Sequence, residues 1–169
     1  MPMARTDSEI RVSVEAVVED ERWHRIDLQE LGQTACSSAL TGFGMTPGHY
    51  EIGLLGCDDR RMEELNGRFR SVFRPTNVLA WPSAGDLGKP GGVSIEPHGL
   101  GDIALAWETC SLEAEMAGRQ LAHHVTHLAV HGCLHLLGCR HGDDETAAFM
   151  EDLEVAILAR LGIENPYWT

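Results

Sequence analysis

The stretch HGCLHLLGCRH, residues 131–141, places three histidines at a spacing that suits a single metal ion. Residues at i and i+4 of an α-helix lie on one face, so His131 and His135 can bind one ion together if this stretch is helical. Gly138 favours the end of that helix, because glycine readily adopts the left-handed conformation, and the chain can then turn back to bring His141 to the same ion. Three protein nitrogens with one open position are typical of catalytic zinc. The stretch therefore predicts a helix in the core that ends at a hydrolytic metal site.

A fourth histidine, His127, lies one turn before His131 on the same predicted helix face. Eight residues of helix rise about 12 Å, whereas each ligand nitrogen must come within about 2.1 Å of zinc. His127 and His135 therefore cannot easily bind the same ion. Because the glycine stop follows His135, we predict that His131 and His135 are the ligand pair and that His127 supports a ligand or contacts the substrate.

The periodicity of apolar residues predicts an α+β fold in one domain, residues 1–169. Alternation of apolar and polar residues is typical of strands, and Asp27 and Asp58 are suitable caps for helices. Most strands come early and the metal-site helix late, so a mixed four-stranded sheet packed against that central helix is expected. The predicted strands are 9–18, 50–58, 76–82 and 101–107. The predicted helices are 27–40, 58–70, 111–118, 119–137 and 143–161, and residues 83–99 are predicted to form a loop.

The termini and the cysteines limit where the protein acts. No apolar run approaches the length of a membrane span, and residues 1–9 lack the hydrophobic core of a signal peptide, so the cytoplasm is the expected location. Five cysteines without a CxxC pair do not indicate a disulfide framework. Cys133 and Cys139 could compete as metal ligands, but Cys133 lies two residues from either histidine of the pair and should point to another helix face.

The charge distribution points to one basic patch. A net charge of −13 argues against broad affinity for nucleic acid, yet five of the twelve arginines lie within residues 60–74. Arg60 and Arg61 have Glu63 and Glu64 as neighbours and are expected on a solvated helix face. The other three arginines of this cluster, Arg68, Arg70 and Arg74, have no acidic neighbour close in sequence and could bind phosphate.

The histidine spacing matches that of the metzincin proteases, which favours a zincin-like arrangement. Those enzymes need a glutamate after the first histidine as general base, and this chain has Gly132 there, so a zinc peptidase is disfavoured. Zinc also activates water and polarises phosphoryl oxygens, which leaves phosphodiester hydrolysis open. That reaction needs a further cation, and Arg70 is the candidate. The general base stays open among His127, Asp102, Glu113 and a water or hydroxide on the metal.

The stretch HGCLHLLGCRH, preceded by His127, is similar to the HGxLHLxGYDH signature of the YbeY family of bacterial metal-dependent endoribonucleases. LNGRFRSVFRPTNVLAWP, LGDIALA, LEAEMAG and LGIENPYW also resemble family segments, so the resemblance covers residues 50–168. It implies one zinc ion bound by His131, His135 and His141, and a functional Arg70. Departures from the family pattern occur at Cys139 and Arg140, which replace Tyr-Asp, and at positions 80–81, where Ala-Trp replaces Ser-Phe.

The resemblance also implies a substrate and partners. It implies single-strand-specific RNA cleavage in maturation of the 3′ end of small-subunit rRNA and in ribosome quality control. The implied partners are the ribosomal small subunit, one of its proteins and an assembly GTPase. Two alternatives remain, a ribosome-assembly factor whose metal is mainly structural and a zinc peptidase.

Overall fold

The structure, a computed structural model, describes residues 9–83, 97–139 and 143–168. Within them the chain forms four strands, five α-helices and one short 3₁₀ helix, Glu21–Arg25. The strands are β1 (Ile10–Val18), β2 (Gly48–Cys57), β3 (Val78–Pro82) and β4 (His98–Ala106). The helices are α1 (Leu28–Phe43), α2 (Asp59–Arg70), α3 (Trp107–Met116), α4 (Leu121–Leu136) and α5 (Asp144–Arg160).

The four strands form one mixed sheet in the order β1-β2-β4-β3. β1, β2 and β4 run parallel, and β3 pairs antiparallel with β4 at the edge. This arrangement confirms the predicted α+β class and the mixed four-stranded sheet. None of the helices in the described ranges combines the length and apolar character that crossing a membrane requires.

Helix α4 is the predicted central helix, and it packs against α1, β3 and β4. Its apolar face is fully buried, including Val125, Val130 and Leu134. Gly132 faces the sheet so closely that an added Cβ would lie 3.1 Å from Ile103 Cγ2. The position after the first histidine of the pair therefore serves close helix–sheet packing, and a larger side chain there would push its neighbours aside.

Helix α4 ends just before Gly138, as predicted from the sequence. Gly138 has a φ of 98°, and its N–H donates to the carbonyl of His135 at 3.0 Å. The N–H of Cys139 donates to the carbonyl of Leu134, also at 3.0 Å. These two bonds form a Schellman motif, which satisfies the last carbonyls of the helix. The predicted return of the chain lies outside the described residues, because His141 and Arg140 fall between residues 139 and 143.

The predicted aspartate caps are confirmed at α1 and α2, and Asp143 caps α5 in the same way. Asp27, Asp58 and Asp143 accept hydrogen bonds from backbone N–H groups three residues later, at 3.1, 2.7 and 2.8 Å. The carboxylates satisfy donors that the first turn leaves without helical partners.

Several predicted boundaries are wrong. Helix α1 ends at Phe43 rather than residue 40, and β2 begins at Gly48 rather than residue 50. Helix α3 begins at Trp107 rather than residue 111, because its first turn is capped from another helix: Asp59 accepts the N–H of Thr109 at 3.1 Å. Such a cap leaves no local signal in the sequence. β4 begins at His98 rather than residue 101, within the predicted loop of residues 83–99. Most of that loop, residues 84–96, lies outside the described residues.

Candidate functional site

His131 and His135 lie side by side on one face of α4. Their Nε2 atoms are 3.0 Å apart, and their ring centroids are 4.6 Å apart. Two ring nitrogens at this distance share either a proton or a metal ion. The predicted i and i+4 pairing is therefore present in the geometry.

A buried carboxylate that the sequence analysis missed holds this pair from behind. Glu154 of α5 is 0% exposed and accepts hydrogen bonds from three side chains. His131 donates through Nδ1 and Tyr167 through its hydroxyl, while His127 donates through Nε2 at 3.0 Å. Because an ionised carboxylate only accepts, the His131 proton lies on Nδ1, and its Nε2 presents a lone pair on the side of His135.

The environment of Glu154 keeps it charged. Burial alone raises the pKa of this carboxyl, but hydrogen bonds from His127 and His131, together with the one from Tyr167, more than offset it and lower the pKa to about 2. Burial and the same carboxylate raise the pKa of the Tyr167 hydroxyl, which keeps it protonated as a donor. The cluster is thus a buried anion surrounded by donors.

One sequence signal for Glu154 did exist. The buried face of α5 consists of Met150, Glu154, Ile157 and Leu158, so the glutamate occupies a core position in the helical repeat. A carboxylate in register with an apolar face must find partners, because an unpaired buried charge is costly. The position in the repeat therefore marks Glu154 as a residue that needs hydrogen-bond partners.

A cleft of about 1190 Å³ runs along the edge strand β3 and reaches both histidines of the pair. Its lining includes His131 and His135 from α4, Trp81 from β3, and Phe69 and Arg70 from the end of α2. The structure thus brings Arg70 into the same cleft as the predicted metal ligands.

His127 lies behind the ligand pair. Its side chain is 14% exposed, bonds to Glu154 and meets the ring of Tyr167 edge to face, with centroids 5.7 Å apart. This geometry suits the predicted supporting role. A direct catalytic role for His127 stays a prediction.

The other candidate bases occupy different surroundings. Asp102 lines a separate cavity with Glu51. Glu113 accepts a hydrogen bond from Asn77 Nδ2 at 2.9 Å and pairs with His124 at 3.2 Å. Since Asn77 lines the cleft, Glu113 is connected to the site through that amide.

The cysteines do not form disulfides. All five lie within the described residues and are free thiols. Cys133 is 0% exposed in the core, away from the ligand pair as predicted. Cys139 is half-buried and lines the cleft, and burial raises the pKa of its thiol.

The two imidazole nitrogens of His131 and His135 are suitable ligands for zinc. Two nitrogens bound tetrahedrally to zinc at about 2.1 Å would be roughly 3.4 Å apart, close to the 3.0 Å between the two Nε2 atoms. A carboxylate on the far nitrogen of His131 is the usual support of a metal-bound imidazole. Among the described residues no group of three or more potential ligands is found, and the third predicted ligand, His141, lies outside them.

Comparisons with known proteins agree with this architecture. A solution structure of a Thermotoga maritima protein matches 95% of this chain and 100% of its own, with a TM-score of 0.50 and 17% identity, which shows a shared fold. "Endoribonuclease YbeY" of Dinoroseobacter shibae is 46% identical over 99% of this chain and 97% of its own length. The protein of that name from Ruegeria pomeroyi is 48% identical over 92% and 98%. The family model described as Endoribonuclease YbeY matches residues 13–162, and the chain therefore belongs to that family.

Proposed function

We propose that this protein is a zinc-dependent endoribonuclease that cleaves single-stranded RNA. The observation that carries the proposal is the pair of Nε2 atoms of His131 and His135, 3.0 Å apart at a cleft that Arg70 also lines. The relatives named endoribonuclease support RNA as the substrate.

His131, His135 and His141 would hold the zinc. When bound, zinc acts as a Lewis acid that lowers the pKa of water to about 7 and polarises a phosphoryl oxygen. The chain itself prepares the ligands, since Glu154 fixes the proton of His131 on Nδ1 and directs its Nε2 lone pair toward His135. The zincin-like description of the fold is part of this proposal, because it depends on the metal.

Arg70 would bind the phosphate that is attacked. It is an exposed residue of α2 that lines the cleft, and its guanidinium forms no salt bridge within the described part of the chain. A guanidinium fork matches two phosphate oxygens and stabilises the charge that grows on them.

The packing of Gly132 argues against the peptidase alternative. A glutamate at this position would have to displace Ile103 and Val78, whose methyl groups lie 3.1 and 3.3 Å from the place that its Cβ would occupy. The base that such peptidases carry after the first histidine is absent here, and the tight packing at this position disfavours it.

We further propose that the substrate is rRNA. The cleavage would mature the 3′ end of small-subunit rRNA and serve ribosome quality control in the cytoplasm. The partners would be the ribosomal small subunit and an assembly GTPase. The family membership supports this assignment.

The test uses the purified full chain with stoichiometric zinc and a single-stranded RNA. His135→Ala should lower zinc binding and reduce cleavage at least about 100-fold, because it removes a ligand. His123→Ala is the matched control, since His123 is an exposed histidine of the same helix. Equal cleavage by the His135 variant would overturn the nuclease assignment. A non-cleaving variant that still restores rRNA maturation in cells would favour the assembly-factor alternative.

A further inference from the structure

We propose that Phe69 and Trp81 form a stacking platform for an unpaired base of the RNA that enters the cleft. The inference rests on the proposed function and assigns two substrate-binding residues to it. It starts from the way two elements meet at the cleft, the end of α2 and the edge strand β3.

The two rings lie face to face. Their centroids are 5.0 Å apart and their planes differ by 11°, the offset-stacked arrangement of aromatic pairs. Phe69 is nevertheless 50% exposed, so much of its ring surface stays open to solvent. Trp81 packs against the buried cluster of Leu79 and Met62, which anchors the pair on the sheet.

The segment that carries Phe69 is basic. The segment RFRSVFR, residues 68–74, carries three arginines and no acidic residue in a chain of net charge −13. All three arginines are exposed, and none forms a salt bridge within the described residues. Of the three, Arg70 lines the cleft together with the two rings. Flat apolar rings beside a guanidinium group match a strand that alternates bases with phosphates, and every base has a face to stack.

The position of the pair links it to the chemistry. Phe69, Arg70 and Trp81 line the same cleft as His131 and His135. A cleft of about 1190 Å³ exceeds the range of about 300–1,000 Å³ that is usual for small ligands, as a polymer substrate requires. Bases within a duplex are already stacked on both faces, so the platform accepts only an unpaired base.

The test separates stacking from charge. The full chain is titrated with a uridine hexanucleotide and with an abasic ribose-phosphate hexamer of equal charge, and binding is followed by fluorescence anisotropy. The natural chain should bind the uridine oligomer about tenfold more tightly, a value within the range for stacking of one base. Phe69→Ala and Trp81→Leu should reduce this preference to less than twofold, whereas Trp81→Phe should retain most of it.

Phe73→Ala is the matched control. Phe73 is 79% exposed and lines a different cavity, beside Gly67, so its loss should leave the tenfold preference unchanged. Trp81→Leu keeps an apolar side chain on the sheet, and circular dichroism checks that the variant folds. Equal preference in the natural chain and both platform variants would overturn the inference.

The binding assay does not depend on cleavage. A chain that cuts no RNA yet shows the platform-dependent preference would refute the proposed function and keep the inference as an RNA-binding site. If the natural chain cuts RNA while Phe69→Ala and Trp81→Leu leave both the preference and KM unchanged, the proposed function stands and the inference is overturned.

Discussion

The candidate metal centre and the rim of the cleft are built in opposite ways. At the centre, Glu154 is 0% exposed and accepts from three donors, so the orientation of His131 is fixed by a buried polar network. At the rim, Phe69 is 50% exposed and Arg70 is an exposed residue at the end of a helix. The proposed function assigns metal binding to the centre and RNA binding to the rim. Substitutions at the centre should alter both zinc affinity and the free energy of unfolding, whereas substitutions at the rim should alter only RNA binding and cleavage.

The largest effect is expected for Glu154→Gln. The amide of glutamine has only one acceptor oxygen, and its NH₂ group would face side chains that are themselves donors. His131 would therefore lose the hydrogen bond that orients its ring. We expect zinc affinity to fall about 10–100-fold and the free energy of unfolding to fall by about 1–3 kcal/mol, measured by chelator competition and urea denaturation. Glu151→Gln is the control, because Glu151 is an exposed glutamate of the same helix. Unchanged zinc affinity would remove Glu154 from the centre.

An intermediate effect confined to catalysis is expected for Arg70→Ala. Loss of a charged hydrogen bond of about 1.5–3 kcal/mol should lower kcat/KM about 10–100-fold, with the free energy of unfolding within about 0.5 kcal/mol of the natural chain. Arg60→Ala, an exposed position of the same helix, should leave both quantities unchanged. A large loss of stability in the Arg70 variant would contradict the division between centre and rim.

The smallest effect is expected for Gly138→Ala. The glycine has a φ of 98°, and among the described residues no atom lies within 4 Å of an added Cβ, so backbone strain is the expected cost. We expect a loss of about 1–2 kcal/mol in the free energy of unfolding. Gly138→Asn should lose less, because asparagine tolerates the left-handed region. Equal losses in both variants would show that the strain is not the cause.

The sequence predicted the parts of the molecule that depend on local rules. The caps at Asp27 and Asp58, the i and i+4 pair on α4 and the glycine stop at Gly138 all follow from neighbours within a few residues. The family resemblance is likewise confirmed, because its motifs are local.

The features that were missed depend on contacts between distant segments. The start of α3 is set by Asp59, whose partner Thr109 lies 50 residues away. Glu154 reaches the histidines only because α5 packs on α4. The stacking of Phe69 on Trp81 joins a helix end to an edge strand, and no spacing rule links those two positions.

The bond between Tyr167 and Glu154 sets an order in which the site becomes complete. A nascent chain that has been synthesised only through α4 already carries His131 and His135, yet it lacks the carboxylate that orients them. Translation must continue through α5 and on to Tyr167 before the full set of hydrogen bonds exists. The hydrogen bonds that orient His131 are therefore completed only after α4, α5 and Tyr167 have all been synthesised.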